Sequence, residues 1–151
     1  MASFFNNYFF IFLALLTGVA MSTQAGVNAK LATYTGAVPA AFLSFLTGTI
    51  ALLICVLLSG ASFGDLVKAK DAPAISWIGG VLGAFFVLVM VNTVPRIGVA
   101  LSFSLAIGGQ MITALIIDHY GLLGVTQRSV SMLRVAGVVL VLAGVVMIRR
   151  F

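Results

Sequence analysis

Apolar positions along the chain fall into five long runs, separated by short stretches rich in glycine, proline and charge. A helix that crosses a bilayer needs about 20 mostly apolar residues. The pattern predicts spans at 8–29 (beginning as early as Phe4), 37–58, 74–94, 97–117 and 130–148. Gly36 and Pro39 open the second span, where a first-turn proline is favourable. Pro73 precedes the third, and Gly121 closes the fourth. The fifth carries Arg134 in its first turns, where a long side chain can reach toward the headgroups. The connections SGASFGDLVKAKDAP and HYGLLGVTQRS are too short to be soluble domains. MASFFNNYFF lacks the basic start of a signal peptide, and the run after it is too long for one. It reads as the start of a retained helix. The expected architecture is all-α and integral to the membrane, one transmembrane domain over 1–151.

Small residues recur at helical spacing inside these runs. Helices in lipid associate by close packing, which favours Gly, Ala, Ser and Thr at every fourth position. The first span has Ala14, Gly18, Ser22 and Gly26. The third has Gly79 with Gly83, and Ser76, Gly80 and Ala84 beside them. The fourth has Gly98, Ser102, Ala106, Gly109 and Thr113. Gly18, Gly79, Gly80, Gly83 and Gly109 are therefore expected to pack helices.

Polar positions within the runs are more selective. Thr17, Met21, Gln24 and Asn28 form one stripe on the first span, and Gln24 and Asn28, one turn apart, can bond each other. Ser44, Gly48, Ala51 and Cys55 form a milder stripe on the second. Gln110 borders the small face of the fourth. An unpaired amide in hydrocarbon costs several kcal/mol. Each such group must point at a neighbouring helix, at water or at a solute. Trp77 opens the third span, where it can anchor at the interface or offer a ring for a solute to stack on. The candidate solute-binding set is Gln24, Asn28, Trp77, Gln110, Thr17 and Ser44.

Composition fixes the solvent. Hydrophobic residues make up 62% of the chain and charged residues 7%, against roughly 25% charged in soluble domains. Eleven charged side chains cannot cover a water-soluble protein of this size, so the surroundings are lipid. The net charge of +5 is scattered between the runs, unlike the clustered surface of a nucleic-acid binder. Arg96 reads as a headgroup anchor in a tight turn with Asn92, Thr93 and Pro95. Asp118 and His119 end the fourth span near the interface, where a cap or a salt bridge to Arg128 or Arg134 is expected ahead of a proton relay.

The Lys and Arg count normally orients a membrane protein. Here one side holds Lys68, Lys70, Arg128 and Arg134, and the other Lys30, Arg96, Arg149 and Arg150. The balance leaves open a single orientation set by another feature. It also fits insertion in both orientations, which with an odd number of spans gives partners related by a two-fold axis in the membrane plane. Inverted-repeat transporters share that symmetry and place their site near the midplane.

Enzyme chemistry finds no residues to run on. There is no HExxH, no Walker motif, no CxxC and no nucleophile beside a base, so neither a metal nor a cofactor is expected. Cys55 is the single cysteine and His119 the single histidine. No acid lies deep in a span, where a proton-coupling carboxylate would sit.

The strings TGVAMSTQAGVNAKL, FLSFLTGTIALL, PAISWIGGVLGAFFV, VPRIGVALSFSLAIGGQ, DHYG and RVAGVVLVLAGV resemble, in order and spacing, the short YdcZ-type branch of the drug/metabolite transporter superfamily. The resemblance rests most on Gln24 with Asn28, on Trp77 with Gly79, Gly80 and Gly83, on Gly109 with Gln110, on Asp118 with Gly121, and on Arg134 with Gly137. It implies a five-helix subunit that pairs head to tail with a second copy or a close paralogue, ten helices in all. It also implies movement of a small molecule across the bacterial inner membrane. Small multidrug resistance relatives carry a membrane-embedded glutamate in their first helix. This chain has none there, which leaves neutral, zwitterionic or facilitated transport open. An alternating-access transporter is the expected function, with a dual-topology ion channel or a non-transporting assembly protein as alternatives. The expected partners are lipid, the second copy and a solute.

Overall fold

The computed structural model describes residues 2–150, with side chains at 7–62 and 64–150. The described residues are almost wholly helical. Five helices are long and apolar enough to cross a membrane, at Asn7–Thr35, Ala37–Leu58, Ala74–Ile97, Val99–Tyr120 and Met132–Arg150. The chain divides into two compact units, Met1–Arg96 and Ile97–Phe151.

In the first unit, α1 (Ala2–Thr35) and α2 (Ala37–Leu58) are joined by Gly36 alone. The first span, expected to stop at Ala29 before Lys30, runs on to Thr35. A single lysine does not end a helix; the backbone does. Gly36 has φ 85° and ψ 164°, a region open essentially to glycine. Its N–H donates to Ala32 O at 2.9 Å, and its carbonyl accepts from Ala40 N at 3.1 Å. The 29-residue span is roughly 44 Å long at 1.5 Å per residue, against a hydrocarbon core of about 30 Å. α1 and α2 pack on each other after this link, and Ala40 and Ala41 in the first turns of α2 are buried.

Two 3-10 turns, Lys68–Asp71 and Ala74–Trp77, and the short helix α3 (Phe63–Val67) lead into α4 (Ile78–Ile97). At α3, Lys68 and the Ser62 backbone and hydroxyl hold the exposed Asp65 carboxyl below its usual range. The third span also extends beyond its expected end. Asn92, Thr93, Pro95 and Arg96, expected in a turn, all lie inside α4. Asn92, Thr93 and Arg96 bond back to the carbonyls of Leu88, Val89 and Asn92 at 2.7–2.9 Å. α4 meets the α1–α2 pair through side chains: Val87 and Val91 pack with Ala41, against Ala32 and Ala37.

In the second unit, α5 (Val99–Tyr120) follows Gly98, whose φ of 81° and ψ of 162° nearly repeat those of Gly36. A left-handed Gly121 caps α5, a 3-10 turn follows at Leu122–Gly124, and α6 is Met132–Arg150. Gly108 is buried where α5 meets α6, and a Cβ there would lie 2.9 Å from Leu142 Cδ2. The connection is tied down throughout. Gln127 Nε2 donates to His119 O at 2.8 Å, and Arg128 N donates to Asp118 O at 2.7 Å. The Arg134 guanidinium pairs with the Asp118 carboxylate and also donates to Arg128 O. Of the two cations expected as partners for Asp118, its side chain takes Arg134.

Only 6–17% of the residues in each span's most apolar stretch are buried within the single chain. Most of the helical surface is therefore left for lipid or for another polypeptide.

Candidate solute-binding cleft

Three helices of the first unit border an open cleft of about 260 Å³. α1 contributes Met21 and Gln24. α2 contributes Ser44, Phe45, Gly48, Thr49 and Leu52. α4 contributes Gly83, Phe86 and Val87. Gln24 lies eleven residues before the end of α1 at Thr35, and Phe86 eleven before the end of α4 at Ile97. At 1.5 Å per residue both sit roughly 16 Å from those helix ends, well inside their spans.

The spacing of the first-span stripe explains its polar wall. Met21, Gln24 and Asn28 are three and four residues apart and share one face. Asn28 sits nearer the link, where α1 and α2 are close, and is 6% exposed. Its Nδ2 donates to Ser44 Oγ at 3.0 Å. The bond allowed by sequence between Gln24 and Asn28 is replaced by this bond across to α2, because Asn28 faces that helix. Gln24 lies one turn further along, where the walls part. It is exposed, and its carboxamide makes no hydrogen bond among the described residues.

Two glycines make the space. Gly48 follows Ser44 by one turn and adds no side chain. A Cβ at Gly83 would sit 3.3 Å from Phe45 Cζ, so the glycine gives that ring room. Thr49 lines the cleft, but its hydroxyl donates to Phe45 O at 2.8 Å. The available hydrogen-bonding groups are thus the Gln24 amide and the Ser44 hydroxyl, whose oxygen already accepts from Asn28. A separate groove of about 500 Å³ between α2 and α4, bordered by Phe42, Val81 and Phe85, is lined wholly by apolar side chains.

The structure brings together Gln24, Asn28 and Ser44 of the six candidates. Thr17 is exposed and turns its hydroxyl onto Leu13 O at 3.0 Å. Trp77 is 62% exposed in the turn that opens the third span and lines no part of the cleft. Gln110 belongs to the second unit, is exposed, and makes no hydrogen bond among the described residues. Gly18, Gly79, Gly80 and Gly109 have open space where a Cβ would be. On α2 the stripe of Ser44 and Gly48 lines the cleft, while Leu52 takes the place expected of Ala51 and Cys55. Phe45 and Phe86 were not singled out by sequence; Phe86 follows Gly83 by three residues, the same helical face.

Residues 9–147 match the family model described as "Putative inner membrane exporter, YdcZ". The chain belongs to the YdcZ family. No curated protein and no solved structure matches it significantly. As a YdcZ member with five spanning helices, it is a multi-pass protein of the inner membrane. The family is described as one of exporters.

Proposed function

We propose that this YdcZ protein moves a small molecule across the inner membrane by alternating access, as an antiparallel pair of five-helix subunits. One observation carries the reading: a cleft between three spanning helices presents an amide and a hydroxyl that are not used up among the described residues. In hydrocarbon such groups cost several kcal/mol unless met by water or a ligand. A lipid-filled groove would be lined like the apolar one between α2 and α4.

The antiparallel arrangement is supported by charge. Four Lys and Arg fall on each side of a chain with five spans, so the positive-inside rule supplies no bias. The open glycine faces at Gly18, Gly79, Gly80 and Gly109 suit close packing against a second copy. Inverted copies would place two clefts around one axis near the midplane. Trp77 and Thr17 are assigned to this wider path, beyond the cleft of one subunit.

The test has two arms. Reporter tags at each terminus should be found on both sides of the membrane in one cell population; a single orientation refutes the antiparallel pair. Proteoliposomes should show saturable solute counterflow at carrier rates. Ion currents at channel rates, or no flux of any solute, would refute the carrier.

A further inference from the structure

We infer that the cleft takes an uncharged solute, one with a carboxamide- or hydroxyl-like head on an apolar or aromatic body, and passes it without a proton. The inference rests on the transport reading above and names its substrate class. None of the side chains lining the cleft is Asp, Glu, Lys, Arg or His. A charge moved from water into an apolar site without a counter-ion faces a prohibitive desolvation cost, and even softened membrane scales keep a penalty of about 2.5–3.5 kcal/mol. A zwitterion brings two such charges, and neither has a partner here.

A second copy does not change this. The one acid within a spanning helix is Asp118, already paired with Arg134. Lys30 lies five residues before the end of α1, beyond Asn28 and toward the link, Arg96 is in the last turn of α4, and Arg149 and Arg150 end α6. An opposing wall made from the same sequence brings no unpaired charge to mid-depth.

What the cleft does offer is specific. The Gln24 carboxamide has two donors and an acceptor without partners among the described residues, the complement of another amide. Ser44 Oγ accepts from Asn28, which leaves its proton free to donate. Phe45 and Phe86 border the same space. Its volume of about 260 Å³ lies just below the range of roughly 300–1,000 Å³ for small-molecule pockets. That space is enough for the amide head and a ring of an amino-acid-sized solute.

An isosteric series tests this on the full chain in lipid nanodiscs, with empty nanodiscs as reference. N-acetyl-phenylalaninamide is neutral, N-acetyl-phenylalanine an anion, trimethylated phenylalaninamide a permanent cation and phenylalanine a zwitterion. Ligand-observed NMR should show the neutral member binding at least tenfold more tightly than each charged one, independent of pH between about 6 and 8.5, a window chosen to lie above the carboxylate pKa values. Gln24→Leu should lose that binding. Gln24→Glu should gain binding of the cation, and the gain should fade as the medium is acidified; circular dichroism checks that both variants keep their helices. Tighter binding of a charged member, pH-dependent binding to the unmodified chain, or no binding of the neutral member would overturn the inference. Counterflow of a charged solute would overturn it while leaving the transport reading intact. A Gln24→Leu variant that binds the whole series unchanged would remove the cleft from both.

Discussion

Removing the Ser44 hydroxyl should cost more than its size suggests. Asn28 is 6% exposed and donates to Ser44 Oγ at 3.0 Å. Ser44→Ala removes one oxygen and leaves the Asn28 amide facing an apolar helix with no acceptor. Interhelical hydrogen bonds in membranes average about 0.6 kcal/mol and reach about 1.7. Stranding a buried polar group costs about 1–3 kcal/mol. Ser44→Ala is therefore expected to destabilise the fold by about 1–2 kcal/mol, most of it from the orphaned amide. Asn28→Leu removes both the bond and the group that would be stranded. Adding Ser44→Ala to it should cost little more, giving a coupling of about 1 kcal/mol. Reversible unfolding in lipid bicelles across the four-member cycle measures this directly. If the two losses add within about 0.3–0.5 kcal/mol, the limit for independent sites, the residues do not work as a pair and the polar wall of the cleft is misdrawn.

Other consequences follow from single positions. Gly36→Ala and Gly98→Ala each force a side chain into a backbone region it rarely occupies, and each should cost about 1–3 kcal/mol in the same unfolding assay. Gly83→Leu should push Phe45 aside and fill the cleft, abolishing binding of the neutral probe while circular dichroism stays unchanged. Arg134→Leu leaves Asp118 half-buried without its cation and should cost about 1–3 kcal/mol. The exchange Asp118→Arg with Arg134→Asp should recover at least half of that loss, as seen by thermal unfolding.

The spans were legible because period and length suffice for them. Five apolar runs gave five spanning helices, with Gly121 ending α5 as expected. Their ends were less legible. Lys30 and Arg96 looked like loop residues because charge is costly in lipid, yet both continue helices that stop only where Gly36 and Gly98 turn the backbone. The polar stripe of α1 pointed to Gln24 and Asn28, and the mild stripe of α2 to Ser44. The bond between Asn28 and Ser44 was not legible, because it depends on how α1 crosses α2 after a one-residue link. Phe45 and Phe86 were hidden among 12 phenylalanines, since an aromatic that lines a cleft and one that faces lipid look alike in sequence. Gly108 and Gly109 show the same limit: adjacent in the chain, one is buried against Leu142 and the other is open.

Everything functional depends on the cleft being wet. A small, uncharged, strongly hydrophilic maleimide reports on this when single cysteines are placed at Gln24, Gly48 and Phe42 in a Cys55→Ser background. Phe42 borders the apolar groove and serves as the dry control. Fast labelling at 24 and 48, slowed by N-acetyl-phenylalaninamide, with none at 42, is the expected result. No labelling at 24 and 48, or equal labelling at all three positions, would contradict the account.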